Sequence, residues 1–168
     1  MNEQTRKYYA NSYVLSEFNY CSIVWHFCGL VETHKIEKIH ERSLRYVYND
    51  YTTEYHQLLD SHDLTTLYGK RIRAICCEIY KTKNGLNPDF MNDIFESRPS
   101  LYPTRKPHDL YVPKANQQTF GYNSLRIEGP ILWNQLPDDL KNAPTITIFQ
   151  EKISEFVFPY CKCDRDCI

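Results

Sequence analysis

Four prolines, at positions 99, 103, 107 and 113, fall between Arg98 and Pro113. Each locks φ and removes a backbone donor, so no regular helix can cross this stretch. On both sides of it the apolar residues recur at helical spacing. The expected fold is therefore mainly α: a helical bundle with a short β-hairpin or extended Pro-rich segment and a C-terminal helix. Four segments follow: a helical bundle over 1–95, a Pro-rich linker with short strands over 96–127, a Trp-anchored corner and C-terminal helix over 128–158, and a Cys-containing tail over 159–168.

At 168 residues the chain is long enough for one domain with a real core, or for two small ones. Hydrophobic residues at 42% and charged residues at 24% exclude a disordered composition. Fourteen tyrosines supply both a core and a stacking surface. No apolar run reaches the length of a membrane span, so no membrane partner is expected. The N-terminal "MNEQTRKYYANSY" lacks the apolar centre of a signal peptide, which points to an intracellular chain in the nucleus, the cytoplasm or both. Seven cysteines, an odd number, then imply reduced thiols rather than a disulfide framework.

The net charge is only −1, but it is unevenly spread. Residues 1–63 carry six Lys/Arg against nine Asp/Glu, residues 64–126 ten against five, and residues 127–168 four against seven. A basic middle between acidic ends suits a polyanion-facing surface, and equally suits ordinary surface charge that clusters.

Along the chain, an opening helix carries Tyr13, Val14 and Phe18, and a short one carries Cys21, Trp25 and Cys28. A helix from about Lys35 to Tyr48 presents Ile36, Ile39, Ser43 and Val47 as its inner face, with Lys38, Arg42 and Arg45 opposite. A short helix near Glu54–Leu59 follows. Thr65 or Thr66 caps the long helix near 66–83, which stops at Asn84-Gly85. Its inner face is Tyr68, Ile72, Ile75 and Ile79, and Lys70, Arg73 and Lys81 lie opposite. Extended pieces are expected at Asp109–Val112 and around Thr119–Ile127, with Gly121 and Asn123 as turn residues. Pro130 suits the first turn of a short helix whose apolar face is Leu132, Trp133 and Leu136, and Pro137 ends it. Thr145 or Thr147 caps a last helix bearing Ile146, Phe149, Ile153 and Phe156.

Two helices with three cations each could follow a phosphate backbone. A solvated helix face is the other reading, with Glu37 and Glu41 blunting the first stripe. For a metal, Cys161, Cys163 and Cys167 in the tail are the candidates, although their spacing is not that of CxxC knuckles and no histidine lies near. Cys21, His26, Cys28, His34 and His40 read as core thiols and satisfied histidines. Asp138 and Asp139 read as favourable charges at a helix start. No glycine-rich phosphate loop, nucleophile elbow or H-E-x-x-H motif occurs, so neither catalysis nor a cofactor is expected.

Four blocks in order carry a resemblance: "FNYCSIVWHF" (18–27), "KIHERSLRYVYNDY" (38–51), "EIYKTKNGLNPDFMNDIF" (78–95) and "SLRIEGPILWNQLPDDLKNAPTITIFQEKI" (124–153). Together they resemble the C-terminal region of reverse transcriptases (RNA-directed DNA polymerases) of non-LTR, LINE-like or jockey-type retrotransposons, from about residue 8 onward. That family implies a helical thumb and C-terminal extension that hold template RNA and the primer–template duplex. The aromatic-Ala-Asp-Asp motif and further palm aspartates of the family have no counterpart here. The resemblance therefore implies a fragment that is not itself an enzyme, its start falling where fingers and palm have ended, with that missing region as a further partner. Arg42 and Arg45, with Lys81 and Lys83, become the expected contacts to RNA or an RNA–DNA duplex through phosphates, alongside Lys38, Lys70 and Arg73. The tail resembles the family's short Cys-rich end but with a longer last gap. The alternative function is a domesticated or orphan helical protein-interaction module.

Overall fold

The computed structural model describes residues 1–97, 109–115 and 121–158. These are mainly helical, as the periodicity predicts, with no strand beyond one isolated antiparallel bridge, Ser97 to Leu110. Two compact units, Met1–Arg71 and Ile72–Tyr160, divide inside one long helix. Among the described residues no helix is long and apolar enough to cross a membrane.

The first unit opens with α1, Glu3–Tyr9, whose N-terminus is capped by Asn2 accepting from the Thr5 N–H at 2.8 Å. The backbone continues as a π-helical turn, Ala10–Leu15, then α2, Ser16–Asn19, and α3, Ser22–Trp25. Cys21 joins the last two in the left-handed region at φ 48° and is exposed, so it is not a core thiol. Next come α4, Leu30–Tyr48, and α5, Tyr55–Ser61, followed by the first residues of α6, Leu67–Lys83. Leu44, Tyr55, Leu58 and Leu59 form a buried cluster with Tyr48 and Leu64 against it.

The inner face of α4 differs from the expected one. Ile39 is 46% exposed, whereas Glu37 and His40 are buried at 4% and 1%. The cause is the start of α6. Thr66 caps it, its hydroxyl accepting from the Gly69 N–H at 3.0 Å. The two other free donors of that first turn are taken by Glu37, which accepts from Leu67 N–H at 3.2 Å and Tyr68 N–H at 2.7 Å. A carboxylate at a helix N-terminus satisfies orphan amides and meets the positive end of the dipole. The same carboxylate accepts from the Tyr55 hydroxyl at 3.0 Å, and His40 Nδ1 lies 2.8 Å from that hydroxyl. Because the single Tyr55 proton points at the carboxylate, His40 Nδ1–H is the donor to Tyr55. Burial, reinforced by the charge of Glu37, pushes the Tyr55 phenol well above its usual range.

Arg71 is enclosed beside this network. Its guanidinium lies 4.5 Å from the Trp25 ring centre and 5.4 Å from that of Tyr68. None of its nitrogens has a hydrogen-bond partner among the described residues. Burial lowers its pKa and the Glu37 charge opposes that shift. Two aromatic faces thus take the place of hydration, as cation–π contacts do when desolvated.

In the second unit α6 continues with Ile72, Ile75, Cys76, Ile79 and Tyr80 all buried, and it ends as the sequence indicates. Gly85 adopts φ +67°, its N–H bonds to Thr82 O, and Leu86 N–H reaches back to Lys81 O, a Schellman closure that a side chain at Gly85 would strain. A 3₁₀ turn, Asp89–Asp93, precedes α7, Leu125–Asn134, then α8, Asp138–Lys141, and α9, Ile146–Glu155. Thr145 caps α9 by accepting from the Ile148 N–H. Trp133 stacks on Phe149 with centroids 5.9 Å apart, Phe149 stacks on Tyr80 at 4.5 Å, and the Tyr80 hydroxyl donates to Ala143 O at 2.6 Å. The Trp133 corner therefore anchors α9 by ring stacking on this one tier. Asn134 bonds both backbone groups of Leu110, at 2.8 and 3.0 Å, and the buried Lys141 ammonium pairs with Asp109 at 2.9 Å. Polar side chains, rather than a sheet, hold that extended segment.

Two local expectations give way. The piece expected as a strand around Thr119–Ile127 is helical from Leu125, because Ser124 takes extended backbone and accepts from the N–H groups of Ile127 and Glu128. Residues 116–120 lie outside the described ones. Pro130 is consequently well inside α7 rather than in its first turn. The preceding Gly129 lets α7 pack closely: a Cβ on it would stand 2.9 Å from Phe95 Cε1 and 3.3 Å from Ile79 Cδ1.

Two predictions follow from the polar network. Glu37→Ala is expected to cost about 3 kcal/mol or more in urea unfolding, since it strands three buried donors, while Glu37→Gln retains acceptors and costs less. Equal losses for the two would show that packing, not hydrogen bonding, sets the value of this position. For His40, burial first and the Lys70 charge second lower its pKa to about 4. The unfolded chain therefore binds the proton first, and stability is complete above roughly pH 6.5 and lost as pH falls towards 4, with about 2 kcal/mol gone near pH 5. Urea midpoints measured near pH 7 and near pH 5 should show that slope, and His40→Gln should remove most of it.

Candidate nucleic-acid interface

The cations singled out by spacing, and Lys83, added by the resemblance, meet different fates. On α4, Arg45 is held by Glu41, its Nε and Nη2 donating to one carboxylate oxygen at 2.9 and 2.7 Å, and its Nη1 reaches Asp50 O at 3.5 Å. In the second unit Lys81 pairs with Glu78 at 2.6 Å. Arg73 donates to Ser154 O at 2.6 Å, and burial lowers its pKa. Lys83 lies 5.7 Å from the Trp133 ring centre, its pKa lowered by burial and then by the charge of Lys141. Lys70, in the first unit, borders a cavity of about 280 Å³ with His40, Ser43 and Tyr48. Short intrahelical pairs of the Glu41–Arg45 kind reduce what a cation can offer a phosphate, because the carboxylate must first be displaced.

Lys38 and Arg42 are different. Both are exposed and one turn apart on α4, and neither is paired with a carboxylate among the described residues. The rotation of α4 that buries Glu37 also brings Ile39 and Tyr46 outward beside Arg42. These side chains face the π-helical turn across an open groove of about 460 Å³ lined by Tyr9, Tyr13, Val14, Ile39, Arg42 and Tyr46. Tyr13 is 73% exposed. The Tyr9 and Tyr13 rings are nearly parallel, at 18° with centroids 6.0 Å apart. The groove was not foreseen from spacing. Its signal was the tyrosine content, already read as a stacking surface, and the repeated Tyr in "KYYANSY".

Cys161, Cys163 and Cys167 lie outside the described residues. Among the described ones no group of three or more His, Cys, Asp or Glu is placed to hold a metal ion. Cys76 is buried, and burial raises its thiol pKa strongly, which makes it unreactive. Asp139 stands 3.9 Å from Lys152 at the start of α8. No protein-family model, no curated protein and no solved structure matches the chain.

Since Lys38 and Arg42 carry no ion pair among the described residues, Lys38→Ala and Arg42→Ala should each leave the urea midpoint within about 0.5 kcal/mol of the parent stability. A larger loss from either would reveal a structural role and disqualify that residue as a ligand contact.

Proposed function

We propose that this chain binds RNA or an RNA–DNA duplex through phosphate contacts, as a thumb-and-C-terminal-extension module of the non-LTR retrotransposon reverse transcriptase kind without a polymerase active site among its own residues. The observation that carries this reading is the exposed Lys38–Arg42 pair on α4, two cations one turn apart with no carboxylate partner among the described residues. Exposed cations neutralise backbone phosphates and release their counterions, and phosphate contacts position a ligand without reading its sequence. The four ordered sequence blocks supply the family side of the proposal. Arg45 and Lys81 contribute less, because each already holds a carboxylate.

A second reading rests on a different observation. Val24, Leu30 and Val31 are 76%, 61% and 66% exposed, aliphatic side chains that offer nothing to a phosphate. They favour a protein contact, for which the fingers-and-palm region of such an enzyme is the natural partner.

Fluorescence anisotropy against an RNA–DNA duplex and a hairpin RNA, over a salt series, tests the first reading. Affinity should fall linearly in log–log form, and Lys38→Glu with Arg42→Glu should weaken binding about tenfold or more and flatten the slope by about 0.9 for each phosphate lost. Binding unaffected by the double reversal would remove α4 from the interface. Metal-dependent primer extension by the purified chain would overturn the statement that it lacks polymerase activity.

A further inference from the structure

The groove between the π-helical turn and α4 has a composition that phosphate binding alone does not use. Tyr9, Tyr13 and Tyr46 are 52%, 73% and 44% exposed, an unusual investment of ring surface in water. Arg42 is the one charged residue lining the groove among the described residues, and Lys38 precedes it by one turn of α4. Resting on the nucleic-acid reading above, we propose that this groove receives unpaired bases of a single-stranded segment, with the tyrosine rings and the Arg42 guanidinium as stacking planes and Lys38 on the adjoining phosphate.

Three features favour a nucleotide over another occupant. First, charge complementarity: among the described residues the lining carries a cation and no anion, so the partner must bring negative charge as well as flat apolar surface. Bases on a phosphodiester backbone have both, and aromatic rings interleaved with cations are how single strands are held without sequence preference. Second, the volume of about 460 Å³ lies within the range of small-ligand clefts, large enough for a base and its sugar. Third, the site has unspent local features. Ser43 lines the groove at 9% exposure, and its hydroxyl has no hydrogen-bond partner among the described residues. The opposite wall is the π-helical Ala10–Leu15, a backbone form that is rare and concentrated at functional sites. A base inside a duplex presents only its edges, so the groove selects single strands, loops or the unpaired side of a junction.

The test compares fluorescein-labelled single-stranded oligo(rA) with a blunt RNA–DNA duplex by anisotropy, using the full chain. Tighter binding of the single strand is expected, and Tyr13→Ala with Tyr46→Ala should weaken it by about tenfold or more while changing duplex affinity less than about twofold. Tyr13→Phe with Tyr46→Phe, which keeps the rings, should restore it. If single strand and duplex bind alike and the alanine variants bind as the parent does, the groove proposal is overturned and the phosphate-binding reading survives. If the folded chain binds neither probe, both fall. Photocrosslinking of 4-thiouridine RNA to the unaltered chain decides the matter should the alanine variants misfold: adducts on Tyr9, Tyr13 or Tyr46 support the groove, and adducts confined to other residues overturn it.

Discussion

One carboxylate organises the first unit. Glu37 leaves water to accept the first amides of α6 and the hydroxyl of Tyr55, so one side chain ties together α4, α5 and α6. A buried carboxylate is costly unless it is fully hydrogen-bonded, and here the donors are fixed backbone groups that themselves need an acceptor. The orientation of α4 follows from that requirement. With Glu37 and His40 turned inward, Ile39 and Tyr46 turn outward, and the aromatic groove beside Arg42 is the result. The fold and the candidate site are thus linked through a residue that touches no ligand.

The second unit is held differently. Its centre is a tier of rings, Trp133 on Phe149 on Tyr80, closed by the Tyr80 hydroxyl on Ala143. Polar contacts there hold the extended segment: Asn134 bonds both backbone groups of Leu110, and the buried Lys141 neutralises Asp109. Dispersion and burial dominate this unit, whereas satisfaction of a helix terminus dominates the first.

What could be read from the sequence follows from that contrast. The apolar face of α6, its Thr66 cap and its stop at Gly85 were all legible, because propensity, periodicity and capping agree there. The Trp133 corner and the Thr145 cap of α9 were legible for the same reason. On α4 periodicity pointed at Ile36 and Ile39, because no apolar count can anticipate that a glutamate will be drawn inside by another helix's unsatisfied amides. Pro130 was misplaced for a related reason. A proline normally marks a first turn, but Ser124 starts α7 earlier and so leaves Pro130 inside the helix. The cations show the limit most clearly: spacing selected six and the resemblance added Lys83, yet neither shows which of them a neighbouring carboxylate or carbonyl already holds, as Glu41 holds Arg45 and Ser154 holds Arg73.

The chain has two tryptophans, and each unit contains one. Trp25 lies under the Arg71 guanidinium, while Trp133 is sealed among rings at 1% exposure. Each ring has a cation near it, but Trp25 is half-buried whereas Trp133 is sealed in a ring stack, so their indoles differ in contact with solvent. Emission from this protein is in effect a two-channel signal, with the integrity of each unit written in a different colour.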